Sequence, residues 1–241
     1  MNFFVKHESC PKCGSRDNLG RYSVGSAWCF GCGYLEKGTH PFLKSSPNTI
    51  KTITLPYDAD FNYTSIPEKS KAYQWIQQYE ITDEELSDYN ILYSLSRQQL
   101  IFPIYDEDSN LLAWQARNFA ETAKTKYFSQ GPIHDLIYIC GEEIGSDTII
   151  LVEDLISAIK IGRSYPCMPL WGSEASKPLI TRLKGMFKTV LVWLDSDKWK
   201  NAIKISKSCQ IYGLKAAAIY SEKDPKKYTD IEIKKYIEDA S

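Results

Sequence analysis

The second half of the chain alternates short apolar runs with segments of helical periodicity. Four apolar runs predict buried strands: Thr148–Val152, Cys167–Trp171, Thr189–Leu194 and Lys215–Tyr220. Apolar residues at helical spacing predict helices between and after them: Leu155–Arg163, Glu174–Phe187, Lys198–Tyr212 and Ile231–Asp239. Strands that alternate with helices indicate an α/β fold whose mostly parallel sheet is covered on both faces.

The first half of the chain has a different pattern. Apolar residues at helical spacing predict helices within 68–97, and Thr82-Asp83-Glu84-Glu85 has the pattern of a helix cap. Two strands, Gln99–Tyr105 and Leu111–Arg117, are predicted on either side of a polar turn. Residues 37–48 contain Gly, Pro and Ser and have little periodicity, which predicts a linker, placed at 39–60, behind a cysteine-rich segment, 1–38.

Composition indicates a globular protein, because 43% of the 241 residues are hydrophobic and 24% are charged. The net charge of −1 does not suit nucleic-acid binding by the chain as a whole. Residues 1–51, however, hold seven basic and three acidic residues, which suits phosphate contact or is ordinary surface charge. No apolar stretch reaches the roughly 20 residues of a membrane span, and no signal peptide is apparent. We therefore expect an intracellular protein with no membrane partner.

Four of the seven cysteines form two Cys-x-x-Cys pairs, Cys10/Cys13 and Cys29/Cys32, with fifteen residues between the pairs. This spacing predicts one structural Zn²⁺ held by four thiolates, with Gly14, Gly31 and Gly33 freeing the backbone of the two turns. His7 is an alternative ligand, although four cysteines already complete a tetrahedral site. The other cysteines are isolated in apolar surroundings and predict buried side chains: Cys140, Cys167 and Cys209.

Aromatic and basic residues surround the cysteine pairs. Two readings stay open for them: stacking on nucleic-acid bases with contacts to phosphates, or a small core of the ribbon itself. The residues concerned are Arg21, Tyr22, Trp28, Phe30 and Tyr34.

Acidic residues follow two of the predicted parallel strands. Glu153 comes directly after one strand, and Asp195 and Asp197 come after another. The carboxyl ends of parallel strands form the ligand crevice of an α/β sheet, so we expect these carboxylates to meet. Their hard oxygen ligands suit catalytic Mg²⁺ or Mn²⁺. Asp224 is a further ligand or the start of a turn, and helix caps are the alternative for each acid.

These motifs resemble those of DNA primases. A strand-Glu and a strand-Asp-x-Asp resemble the TOPRIM domain, and the upstream blocks resemble the primase polymerase domain: Phe102-Pro103, Trp114-Gln115-Ala116-Arg117, Lys126-Tyr127-Phe128, Leu170-Trp171-Gly172 and Lys223-Asp224-Pro225. The four-cysteine ribbon is similar to that of bacteriophage primase–helicases, whereas DnaG-type ribbons usually carry a histidine ligand.

The resemblance implies roles for individual residues. Glu153, Asp195, Asp197 and Asp224 would be catalytic, with the first three binding magnesium. The residues that would bind nucleotide and template are Arg117, Lys124, Lys126 and Tyr127. Ser26 and Trp28 would read the template, because Val24 and Ser26 stand where phage ribbons often have an aspartate and a histidine. Asp154 and Ser157 are a second departure, standing where the family usually has glycine and aspartate.

The resemblance also implies a domain order: a zinc ribbon at 1–38, a linker at 39–60, a mixed α+β subdomain of the polymerase at 61–145, and a TOPRIM subdomain at 146–241. No Gly-x-x-x-x-Gly-Lys-Ser/Thr loop occurs, so the expected replicative helicase is a separate protein.

The hypothesis is an enzyme that makes short RNA primers from ribonucleoside triphosphates on a single-stranded DNA template, in the cytoplasm of a bacterial host if the protein is viral. Two alternatives stay open: a metal-dependent TOPRIM nuclease, and a non-catalytic primase relative that only binds DNA or a replication partner.

Overall fold

A computed structural model describes residues 4–22, 26–36, 53–60, 66–141 and 146–240. The chain divides into two compact units, Met1–Thr52 and Ile53–Ser241. Most of the predicted linker, residues 39–52, lies outside the described residues, as does Val24. Among the described residues, no helix is long and apolar enough to span a membrane.

The first unit is a small antiparallel sheet in which neighbours in sequence are neighbours in space. Its four strands are β1 (Phe4–Glu8), β2 (Leu19–Tyr22), β3 (Ala27–Cys29) and β4 (Leu35–Glu36). Among the residues of this unit that the structure describes, four form the buried core: Cys10, Leu19, Ala27 and Cys29. Since two of the four are cysteines, the apolar contribution to folding is small, and a bound metal would supply much of the stability.

The second unit begins with a five-stranded antiparallel sheet, again in sequential order. Its strands are β5 (Ala59–Asp60), β6 (Leu92–Ser94), β7 (Gln99–Tyr105), β8 (Leu111–Asn118) and β9 (Tyr127–Gln130). Helices α1 (Lys71–Gln77) and α2 (Asp83–Asp88) precede β6, and Thr82 and Glu85 form the predicted capping box of α2. The helical prediction for 68–97 is wrong at β6, because Asn90 adopts a φ of 49° and the chain then pairs with β7.

The second sheet of this unit is parallel and confirms the predicted α/β class. Its strand order is β11 (Cys167–Pro169), β10 (Thr148–Val152), β12 (Thr189–Val192) and β13 (Lys215–Ala218). The helices are α3 (Leu155–Gly162), α4 (Lys177–Met186), α5 (Trp199–Ile211) and α6 (Asp230–Glu238). Helix α4 begins three residues after the predicted start because the Ser176 side chain caps its N-terminus.

Alternate residues of β10 enter two different cores. Ile150 and Val152 pack with residues of α3, α6 and β7, whereas Ile149 and Leu151 pack with residues of α4 and α5. The first of these cores also contains residues of the antiparallel sheet, so the two sheets of the second unit share buried apolar surface. This shared core holds the carboxyl ends of β10 and β12 next to the faces of β8 and β9.

Candidate metal centres and acidic cleft

The two cysteine pairs of the first unit converge on one point. One sulfur from each of Cys10, Cys13, Cys29 and Cys32 lies within 4.8 Å of the others, and the Cys10–Cys32 and Cys13–Cys29 Sγ distances are 3.7 Å. Zn–S bonds of about 2.3 Å in a tetrahedron place sulfur atoms about 3.8 Å apart. The four thiols therefore fit a tetrahedral Zn²⁺.

The two Cys-x-x-Cys turns share one backbone hydrogen-bond pattern. The amide of Gly14 donates to the Cys10 carbonyl, and the amide of Gly33 donates to the Cys29 carbonyl, both at 2.9 Å. The two glycines have φ values of 68° and 70°, in the left-handed region that favours glycine. The φ of Gly31 is not positive, so the prediction that this glycine frees the backbone of its turn is wrong.

The chemistry of the cluster also suits a cation. Hydrogen bonding to the side chain and backbone of Ser15 lowers the pKa of Cys13 to about 6, which favours a thiolate. His7 does not belong to the cluster; its ring centre lies 6.3 Å from that of Phe30.

The surface of the ribbon presents aromatic and apolar side chains to solvent. Trp28 is 41% exposed and Phe30 is 60% exposed, whereas Tyr34 packs partly against the cysteine core. Arg21 is bound by Glu8 and Glu36, with its Nε 2.6 Å from a Glu8 oxygen. Ser26 is half-buried, and its carbonyl accepts from the Tyr22 amide at 2.8 Å.

The second unit contains a cleft of about 270 Å³ at the carboxyl ends of its parallel strands. The strand order reverses between β10 and β12, and such a switch point is where open α/β sheets bind ligands. The carboxylates of the cleft are Glu153, Asp154, Asp195 and Asp224, and the basic and polar side chains facing them are Gln115, Arg117, Lys126, Tyr127, Lys226 and Lys227.

Glu153 and Asp195 follow adjacent strands, as the sequence predicts. Burial, together with the negative charges of Asp195 and Asp154, raises the pKa of Glu153 to about 7. Its Oε2 atom is buried with no hydrogen-bond partner among the described residues. Burial also raises the pKa of Asp195. A carboxylate oxygen in this state is a ready ligand for a cation, and Mg²⁺ needs only one or two carboxylates when phosphates and water complete its shell.

The remaining predicted acids differ in position. Asp197 is 70% exposed, pairs with Lys198 at 2.7 Å and does not line the cleft. Asp224 lines it and accepts from Lys227 at 2.9 Å. Burial opposes ionisation of Asp224, but the lysine hydrogen bond and charges lower its pKa overall. Among the described residues, no three carboxylates offer oxygens within 4.8 Å of one another.

Arg117 forms the opposite wall of the cleft. It lies over the Trp75 ring at 4.1 Å and donates to the Tyr127 hydroxyl at 2.8 Å. Its Nε is buried and has no partner among the described residues. Lys126 also lines the cleft, whereas Lys124 is exposed outside it. A planar cation with an unused donor suits a phosphate oxygen.

Several contacts of the cleft residues gave no signal in the sequence. Trp75 reads as a core residue at helical spacing, but it stacks on Arg117. Trp171 belongs to a block that resembles primases, but the sequence does not reveal that the residue is 5% exposed, has a φ of 58° and holds an indole nitrogen without a partner among the described residues. Lys226 lies buried among the acids, which the sequence Asp224-Pro225-Lys226-Lys227 does not disclose.

No protein-family model matches the sequence, and no curated protein sequence matches it either. Solved structures do match. The primase fragment of the bacteriophage T7 primase-helicase is 15% identical with a TM-score of 0.55, over 98% of this chain and 99% of the other.

Two further solved structures that match are also primases. The zinc-binding and RNA polymerase domains of the Aquifex aeolicus primase align over 100% of this chain and 79% of theirs, at 12% identity and a TM-score of 0.57. A DnaG primase catalytic domain bound to single-stranded DNA aligns over 73% of each chain, at 14% identity and a TM-score of 0.58. This chain has the fold of bacteriophage and bacterial primases, with a cysteine cluster in its first unit and an acidic cleft in its second.

Proposed function

We propose that this protein is a DNA primase that joins ribonucleoside triphosphates into short RNA primers on a single-stranded DNA template. The observation that carries the proposal is the cleft, which sets the acids of two parallel strand ends against Arg117 and Lys126. The fold that surrounds it is shared with the T7 primase fragment over 98% of this chain.

Glu153 and Asp195 are the residues that would hold Mg²⁺ or Mn²⁺, and Asp197 and Asp224 are the further catalytic candidates. The bound ion would neutralise charge on the reacting phosphate and favour ionisation of the attacking 3′-hydroxyl. The unpaired Nε of Arg117 and the Lys126 ammonium would hold phosphate oxygens of the incoming nucleotide. In the reaction, the hydroxyl attacks the α-phosphorus of a second nucleotide and pyrophosphate leaves.

The ribbon would contribute template binding. Zn²⁺ on its four cysteines would hold the small sheet together, because the buried core has four members in the described part of this unit. Trp28 and Phe30 expose aromatic surface on which unpaired bases can stack, and Ser26 lies next to them in sequence. A separate replicative helicase is a proposed partner.

A priming assay tests the proposal. The zinc-loaded protein is incubated with a pool of randomised single-stranded DNA, labelled ribonucleotides and Mg²⁺ or Mn²⁺. Short RNA that depends on template is the expected product, and Asp195→Asn is the matched inactive control. Cleaved DNA without RNA would establish a nuclease instead, and DNA binding without either product would establish a non-catalytic relative.

A further inference from the structure

Lys226 is buried inside the acidic cleft. Its side chain is 8% exposed, and its Nζ lies 2.7 Å from Asp154, 3.2 Å from Asp195 and 3.9 Å from Asp224. The ammonium is therefore a fixed positive charge shared by carboxylates from three separate loops.

Both oxygens of Asp154 already have partners within the protein, and Lys226 is one of them. One oxygen of Asp154 accepts from the Ser157 amide at 3.0 Å, which caps α3, and the other accepts from Lys226. Both oxygens are thus engaged within the protein.

Asp224 is similarly held between Lys226 and Lys227. Glu153 is the carboxylate of the cleft that Lys226 does not contact, and it keeps a buried oxygen without a partner among the described residues. Asp195 is shared between Lys226 and the neighbourhood of Glu153. Both of its oxygens accept from Lys226, but at 3.2 and 3.3 Å, longer than the 2.7 Å contact to Asp154, and it follows the strand next to that of Glu153.

Many phosphoryl-transfer sites use two divalent ions about 3.5–4 Å apart, each with its own oxygen ligands. In this cleft the Lys226 ammonium lies among Asp154, Asp195 and Asp224. A divalent ion bound by these three carboxylates would have to displace it. A second doubly charged ion beside that ammonium would also be repelled at short range.

We infer that Lys226 is a built-in cation that replaces one of two metal ions, so that the cleft binds a single divalent ion through Glu153 and Asp195. Lys226 is a positioning residue in this arrangement: it orients Asp195 and neutralises Asp154 and Asp224 whether or not metal is present. The inference deepens the proposed function, because it sets the metal requirement of the same cleft.

Counting bound ions tests the inference without any RNA synthesis. Zinc-loaded full-length protein is titrated with Mn²⁺, and free Mn²⁺ is followed by electron paramagnetic resonance. We expect one bound Mn²⁺ for the wild type, one for Lys226→Arg, and none for Glu153→Gln. Lys226→Gln frees three carboxylates and should bind a second Mn²⁺. The matched control is Lys227→Gln, which removes the neighbouring lysine that contacts Asp224 alone of these acids; it should still bind one.

Melting curves give an independent measurement. Lys226→Gln should melt below the wild type without Mn²⁺ and recover most of the difference in millimolar Mn²⁺, whereas Lys226→Arg should need no Mn²⁺. Two ions bound by the wild type, or none, would overturn the inference even if every variant were unfolded. A single ion in folded Lys226→Gln would overturn it as well. One bound ion without template-dependent RNA would contradict the proposed function and leave this inference standing.

Discussion

Arg117 and Tyr127 face each other across β8 and β9, and the guanidinium donates to the phenol hydroxyl at 2.8 Å. The Trp75 ring covers the same guanidinium at 4.1 Å. An arginine held on two sides has lost most of its conformational freedom before any ligand arrives. Little further entropy is therefore lost when its other N–H groups bind a phosphate.

Arg117→Lys should therefore reduce kcat/KM for primer synthesis by about 10–100-fold, which corresponds to the loss of one or two charge-assisted hydrogen bonds. The lysine keeps the charge but not the planar group that stacks on Trp75. Tyr127→Phe removes only one partner of Arg117 and should cost about fivefold. Steady-state kinetics with varied nucleotide concentration measure both, and equal activity of Arg117→Lys and wild type would contradict the assignment.

The raised pKa of Glu153 leads us to expect an unusual dependence of folding stability on pH. Its pKa is about 7 in the folded protein against an ordinary value of 4.5, so between these values the folded state binds more protons than the unfolded state. Stability contributed by this group is thus present below about pH 4.5 and is lost as pH rises to 7.

Glu153→Gln should remove this part of the profile and raise the melting temperature at pH 8 in the absence of Mg²⁺ and Mn²⁺. Melting curves from pH 5 to pH 8 measure it. Identical profiles of the two proteins would mean that Glu153 ionises normally.

Asp195 and Asp197 should differ in importance. Asp195 is 21% exposed within the cleft, whereas Asp197 is 70% exposed and pairs with Lys198. Asp195→Asn should lower RNA synthesis by about 100-fold or more through loss of the divalent ion. Asp197→Asn should have the smaller effect. Single-turnover formation of the first dinucleotide compares them, and the reverse order would indicate that Asp197 moves into the cleft when metal binds.

Loss of zinc should unfold the ribbon and spare the second unit. Cys29 is buried in the four-membered core of the ribbon as well as in the metal cluster, so Cys29→Ser removes both contributions. We expect less than one zinc per chain by elemental analysis, and an unchanged main melting transition from the second unit. Cys209→Ser is the control because Cys209 is buried in a core of the second unit and is not a member of the cysteine cluster; this variant should keep its zinc.

The ribbon should bind single-stranded DNA through its exposed rings. Trp28→Ala and Phe30→Ala should each weaken binding by about 5- to 100-fold, since stacking on one base contributes about 1–3 kcal/mol. Leu35, which is 53% exposed, offers a control without an aromatic ring. Fluorescence anisotropy with a labelled oligonucleotide measures the affinities, and an equal loss for Leu35→Ala would indicate a general apolar contact rather than stacking.

The sequence predicted the parallel sheet and its acidic edge because each depends on a local pattern. Apolar runs identified β10 and β12, and the acids that follow them must lie at the carboxyl edge once the strands are parallel. The cysteine cluster was predictable for the same reason, since two short turns of fixed spacing bring the sulfurs together.

Other features depend on contacts between distant segments, and no local pattern records them. Lys226 lies 72 residues from Asp154, and nothing in a Pro-Lys-Lys turn marks its first lysine as buried. Strand β6 was read as helix because Leu92 and Tyr93 fit both periodicities until pairing with β7 decides between them. The pair of Asp197 with Lys198 is local, but whether it points into the cleft is decided by the 3₁₀ turn after β12.

The acids and the basic wall of the cleft are carried by different sheets, which meet through one shared apolar core. The distance between the acids and the basic wall therefore depends on how the buried side chains of this core pack, although these side chains are far from any reacting atom. Substitutions such as Phe102→Leu would let this distance vary at temperatures below the melting temperature. Such variants should therefore lose primer synthesis on warming while their circular dichroism spectrum is still that of the native protein.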